Sequence, residues 1–91
     1  MEIIRSYEIR NDDVTCLNEQ FDLWMIDHTI DDDEGFVKHN YYLARRTGKM
    51  MDWKVLSPRI GSSYTKWSEA KELAKPYIAS YLQKRLEESA T

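Results

Sequence analysis

The longest stretch of this chain with one unbroken period runs from Tyr64 to Glu88. At about 100° per residue, Trp67, Ala70, Leu73, Ala74, Tyr77, Ile78, Tyr81 and Leu82 fall in one stripe, opposite Glu69, Glu72, Lys75, Ser80, Gln83 and Glu87. The pattern predicts a helix with one face in a core and one in water. Thr65 is the expected N-cap, because its hydroxyl can accept from a first-turn N–H that has no partner in the helix. Glu69 and Glu72 suit the positive end of the helix dipole, and Lys84 and Arg85 the negative end. Pro76 removes one backbone hydrogen bond and presses on the carbonyl of Glu72, at a cost of about 3 kcal/mol. The stripe nevertheless keeps its phase on both sides of Pro76, which falls on the wet face. One bent helix is the expectation; two short helices, with Pro76 opening the second, are the alternative.

Upstream the period shortens to two. Glu2 to Arg10 alternates, with Ile3, Tyr7 and Ile9 on one side, and reads as a first strand ended by the turn residues Asn11-Asp12-Asp13. Val14 to Leu17 reads as a short extended piece. From Phe21 to Ile30 both sides are apolar: Phe21, Leu23 and Met25 face one way, Trp24, Ile26 and Ile30 the other. Such a strand is either central and covered twice, or it shows an apolar face to a partner. Asp31-Asp32-Asp33-Glu34-Gly35 reads as an acidic loop. Phe36 to Arg46 reads as a strand with Val37, Tyr41 and Leu43 on one side, turning at Thr47-Gly48 with the glycine at positive φ. The return strand carries Met51, Trp53 and Val55 and stops at Pro58. A run of strands followed by a helix predicts one α+β domain over residues 1–91. Its expected form is an antiparallel meander of three to four strands with one long bent C-terminal helix across one face.

A single helix can shelter only one face of that sheet. The face carrying Trp24 and Ile26 is therefore the expected contact surface, flanked by Asp31, Asp32, Asp33 and Glu34; cover by an N-terminal loop is the alternative.

Composition then narrows the class. A hydrophobic fraction of 42%, with 12% aromatic, supports a packed core and excludes a disordered chain. The lone Cys16 excludes an internal disulfide and points to a reducing compartment. No apolar run approaches the ~18 residues of a membrane span. A cytoplasmic protein with no membrane association is the expectation. The net charge of −3 hides a segregation: residues 1–36 hold eleven acids and two bases, residues 37–91 eleven bases and five acids. This implies internal complementarity, head-to-tail association, or two surfaces for two partners.

Candidate chemistry is sparse. If Gly35 is placed sixth in a calcium loop, Ile30 falls first and no Glu stands twelfth. Cys16, His28 and His39 are too few and too scattered for a zinc site. Thr47-Gly48-Lys49 lacks the earlier glycine of a phosphate loop, and Met50 replaces its Ser or Thr. No cofactor, metal site or catalytic constellation is expected. Basic residues interleaved with aromatics are a stronger signal: Arg45, Arg46, Lys49, Lys54 and Arg59 surround Tyr42 and Trp53, a pattern suited to phosphates and bases.

From Trp53 onward, Trp53-Lys54-Val55-Leu56-Ser57-Pro58, Gly61, Thr65, Glu69-Ala70, Ala74, Ile78 and Leu82 are similar to the sheet-to-helix crossing of HicB-type antitoxins. The loop here is shorter and lacks that family's Pro-Gly pair, and Thr65 to Glu69 is one residue longer. The resemblance covers about a third of the chain and implies a protein that masks a toxin's active site. The strand that is apolar on both faces beside a single helix leads to the expected function, a non-catalytic protein-binding module, an inhibitor or adaptor of the kind phages and mobile elements encode, with another protein or a second copy as partner. Nucleic-acid binding through the basic hairpin is the alternative.

Overall fold

The computed structural model describes residues 2–31, 33–48 and 50–90. These form β1 (Ile3–Ile4), a 3-10 turn (Ser6–Glu8), β2 (Val14–Asn18), β3 (Leu23–Asp27), β4 (Ile30–Asp31), β5 (Val37–Lys38), β6 (Tyr41–Arg46), β7 (Trp53–Val55) and α1 (Trp67–Ala90). The fold is α+β. The sheet has five antiparallel strands in the order β1-β7-β6-β3-β2, and β4 and β5 pair in a separate ribbon. The strand count exceeds the expected three to four because each of the extended segments expected over 2–10, 14–17, 21–30, 36–46 and 51–55 contributes a strand to the sheet, while Ile30–Asp31 and Val37–Lys38 pair in the separate ribbon.

Cross-strand partners share a face, so register fixes the two cores. Leu23, Met25, Tyr41, Leu43 and Ile60 lie under α1, against Ala70 and Ala74. Ile26, Ala44, Trp53 and Val55 lie on the other face, against Ile4 and Ile9. β3 lies inside the sheet between β6 and β2 and is sheltered on both faces, by α1 on one and by the N-terminal segment on the other.

That segment is not the long strand the alternation predicts. The 3-10 turn shifts its phase, so Ile4 and Ile9 point inward while Tyr7 is 86% exposed. The cause is Asp52 at the foot of β7. Its carboxylate accepts from the Ser6 backbone N–H at 2.9 Å and from Arg5 Nη1 at 3.0 Å, and Glu8 Oε2 closes the turn by accepting from the Arg5 N–H. The N-terminal residues thus form a strap across the second face.

α1 is one continuous 24-residue helix through Pro76, with Pro76 exposed as the wheel requires. Two details differ from the sequence reading. Leu73 stands 48% exposed outside the contact stripe. Thr65 does not cap the helix: its Oγ1 accepts from the Ser62 N–H at 2.7 Å and so organises the preceding loop. Gly61 permits this, since it sits at φ +74° and a Cβ there would lie 2.5 Å from that oxygen. In the β6–β7 loop Gly48 is not at positive φ; Met51 takes the left-handed conformation, at φ 55°. Arg46 pairs with Trp53, so the loop is longer than a two-residue hairpin and bends at a different point.

Candidate basic groove and aromatic notch

α1 runs along β6. Its first residue, Trp67, packs edge-on against Tyr41 at 5.6 Å, and four turns on, the Tyr81 hydroxyl accepts from Arg45 Nη1 at 3.2 Å. A helix of 24 residues is about 36 Å long and a six-residue strand about 20 Å, so α1 overhangs the sheet at the hairpin end. The overhang and the hairpin enclose a groove of about 610 Å³. Arg45, Arg46 and Lys54 line it from the sheet, and Lys84, Arg85 and Glu88 from the helix.

Four cations, Arg45, Lys54, Lys84 and Arg85, against the single carboxylate of Glu88 leave the groove electropositive, and their partners are few. Arg45 and Lys54 are direct cross-strand partners, an arrangement that destabilises a sheet when both side chains carry the same charge. Lys54 and Lys84 make no ion pair among the described residues. Arg45 Nε is buried without a hydrogen-bond partner among the described residues, a cost of about 1–3 kcal/mol for a buried donor. Arg85 meets Glu88 only at 3.6 Å on the helix surface, a pair worth at most about 1 kcal/mol.

Arg46 differs. Its Nε donates to Asp22 Oδ1 at 3.1 Å, and its guanidinium lies 4.9 Å over the Trp24 ring. Trp24 in turn donates Nε1–H to Asp22 at 2.7 Å. Burial pushes the Asp22 carboxyl upward, but these bonds outweigh it and hold the group below the usual carboxylate range.

Arg46 also lines a second cavity, of about 260 Å³, on the strap side of the sheet. Trp24 and Trp53 meet there edge-to-face at 5.6 Å, over the small Ala44 of the strand between them. Ile9, Val14 and the half-exposed Met51 complete an apolar wall, with Arg10 and Asn11 at the rim.

The residues expected to form a partner face do not do so together. Ile26 is fully buried beneath the strap, because Ile4 and Ile9 cover the face that one helix leaves open. Trp24 is half-buried in the notch. Asp31, Asp33 and Glu34 are exposed on the β4–β5 excursion, which leaves β3 at Asp27, so they stand at the far end of the sheet from Trp24. Asp32 lies outside the described residues.

Of the basic set, Arg45, Arg46 and Lys54 converge. Arg59 does not, because Ile60 bridges to Tyr41 at the other end of β6. Lys49 lies outside the described residues. Tyr42 and Trp53 pack in the strap-side core and give the groove no platform. Sequence reasoning missed Lys84 and Arg85 as groove residues; their place just beyond Tyr81, at the edge of the apolar stripe, was the available signal.

The two histidines find different carboxylates. His28 Nε2 is 3.5 Å from Glu8, while His39 Nδ1 is 2.7 Å from Asp27 and its ring stacks on Tyr41. Asp27 is buried and also accepts from the Asn40 N–H, so it pins both ends of the 28–40 excursion. Cys16 lies opposite Trp24 in the sheet. Among the described residues, no three His, Cys, Asp or Glu side chains gather as a metal site, and no helix is long and apolar enough to cross a membrane.

Comparison with known proteins finds no matching family model, no matching curated protein and no matching solved structure.

Proposed function

We propose that this chain is a non-catalytic nucleic-acid-binding protein that holds phosphates in the groove between the β6–β7 hairpin and the overhanging end of α1. The supporting observation is Arg45 directly across from Lys54, with Lys84 and Arg85 on the facing wall. Holding four cations around one groove costs self-repulsion, which a run of phosphates relieves with release of its counterions. Binding to a short DNA, followed by fluorescence anisotropy, tests it. With three to four phosphates neutralised on a single strand, affinity should fall roughly 20–50-fold between about 50 and 200 mM salt. Arg45→Ala with Lys54→Ala should weaken binding and flatten that dependence. No binding at low salt rejects the reading.

A protein partner remains a second reading, now on the β4–β5 ribbon. Val37 there is 47% exposed on the face it shares with Asp31, and Ile30 is 48% exposed on the opposite face with Lys38, beside the acids Asp33 and Glu34. Chemically this fits a basic, partly apolar surface, including the groove of a second copy. Sedimentation at low salt checks the second-copy form: self-association lost in Ile30→Ser/Val37→Ser supports it, and a monomer at all concentrations removes it.

A further inference from the structure

Arg46 stands at the lip between two cavities that open on opposite faces of the sheet, the basic groove and the Trp24 notch. The groove has charge and one half-buried aromatic, Tyr81, whose hydroxyl is held by Arg45. The notch has two indoles and two arginines at its rim: Arg46, over Trp24 and paired with Asp22, and Arg10, whose charge acts on Asp13 from beyond ion-pair range. At about 260 Å³ the notch falls below the ~300–1,000 Å³ of pockets for drug-sized ligands, which leaves room for one planar ring system. The Asn11 side chain, exposed at the rim, offers a donor and an acceptor to the edge of such a ring.

We infer that the ligand is a single-stranded nucleic acid whose backbone lies in the groove, passes the β6–β7 turn at Arg46, and inserts one unpaired base against Trp24. This deepens the phosphate-groove reading and rests on it. Charge complementarity selects the occupant: Arg45, Lys54, Lys84 and Arg85 line the groove, Arg46 borders both cavities although Asp22 holds its Nε, and Arg10 stands at the far rim with the apolar wall between them. Geometry selects the single strand. A duplex has a persistence length of about 50 nm and cannot wrap from one face of a small sheet to the other. Its bases are also stacked and paired, whereas every unpaired base offers a free π-face.

The test compares a fluorescein-labelled DNA strand of about 15 nucleotides, within the range of known single-strand sites, with the same strand annealed to its complement. The single strand should bind more tightly and quench tryptophan fluorescence. Trp24→Leu should reduce its affinity about five- to 100-fold, as loss of one base-stacking platform does, and leave duplex affinity unchanged. Trp24→Phe should restore most of the loss. Met51→Asp gives a second route without touching the core: the position is half-exposed, its left-handed backbone suits Asp, and the new charge faces the incoming strand. Melting curves confirm that each variant folds.

Salt-dependent binding that is equal for single strand and duplex, and indifferent to both Trp24→Leu and Met51→Asp, overturns the base-insertion inference and leaves the groove standing. Absence of salt-dependent binding overturns both.

Discussion

Asp52 is the residue on which the second core depends. The strap carries Ile4 and Ile9 to that core, and beyond the short β1 it is held to the sheet by the Asp52 carboxylate gripping Ser6 and Arg5, with Glu8 3.5 Å from His28 Nε2. The backbone N–H of Ser6, together with Arg5, holds that carboxyl below its ordinary value of 3.8. A depressed acid stabilises the fold fully above its unfolded value and loses that contribution as pH falls through the folded one. Stability should therefore decline as pH drops from about 4 downward. Part of this decline should vanish in Asp52→Asn, measured by urea unfolding at several pH values; an unchanged pH profile would exclude the strap bond as its source. Asp13 has the opposite sign. Burial and the nearby Asp27 raise its carboxyl, so acid favours its folded form and partly offsets the loss at Asp52.

Among the elements, α1 shows how local cost and tertiary need are balanced. Pro76 breaks a hydrogen bond in mid-helix, yet the helix continues because Ala70 and Ala74 before it and Tyr77, Ile78, Tyr81 and Leu82 after it all pack on the sheet. Fully burying a large apolar side chain stabilises by about 1.5–3 kcal/mol, so the half-buried Tyr77, Ile78, Tyr81 and Leu82 together can offset the proline's cost of about 3 kcal/mol. Pro76→Ala should thus stabilise the protein by up to about 3 kcal/mol, seen as a higher urea midpoint with an unchanged slope. Destabilisation would show that a bend at Pro76 is what fits the helix to the sheet. The hairpin is a comparable case: pairing of Arg46 with Trp53 is forced by the two-faced pattern of β6 and β7, and the turn residues follow from it.

At the scale of the molecule, charge is sorted along the sheet. β3 ends and β6 begins where the acidic ribbon leaves; β6 ends and β7 begins where the basic groove opens. α1 does not repeat the order, since Lys71 and Lys75 accompany Glu69 and Glu72 in its first half and Glu87 and Glu88 follow Lys84 and Arg85; the described residues extend 51 × 29 × 21 Å. A strand length of about 20 Å separates the two ends, more than twice the ~8 Å Debye length at 0.15 M salt. Acid and groove therefore act independently under those conditions, and an overall charge of −3 is no bar to binding a polyanion. Neutralising the ribbon by Asp31→Asn, Asp33→Asn and Glu34→Gln should leave DNA affinity unchanged at about 0.15 M salt. At about 0.01 M, where the Debye length reaches ~30 Å, affinity should rise. A rise at the higher salt would place the ribbon beside the groove in solution.

The sequence by itself determined what periodicity and charge encode locally. It marked the helix and the wet position of Pro76, a two-sided apolar strand within Phe21 to Ile30, a basic set from which Arg45, Arg46 and Lys54 converge, and the segregation of acids from bases. Only the tertiary structure decided which surfaces those residues occupy. Ile26 is sheltered because a remote carboxylate at Asp52 bends the first ten residues across it, and Lys84 and Arg85 join the groove because the helix outruns the strands. Both depend on contacts between residues far apart in the chain, where spacing in the sequence carries no distance in space.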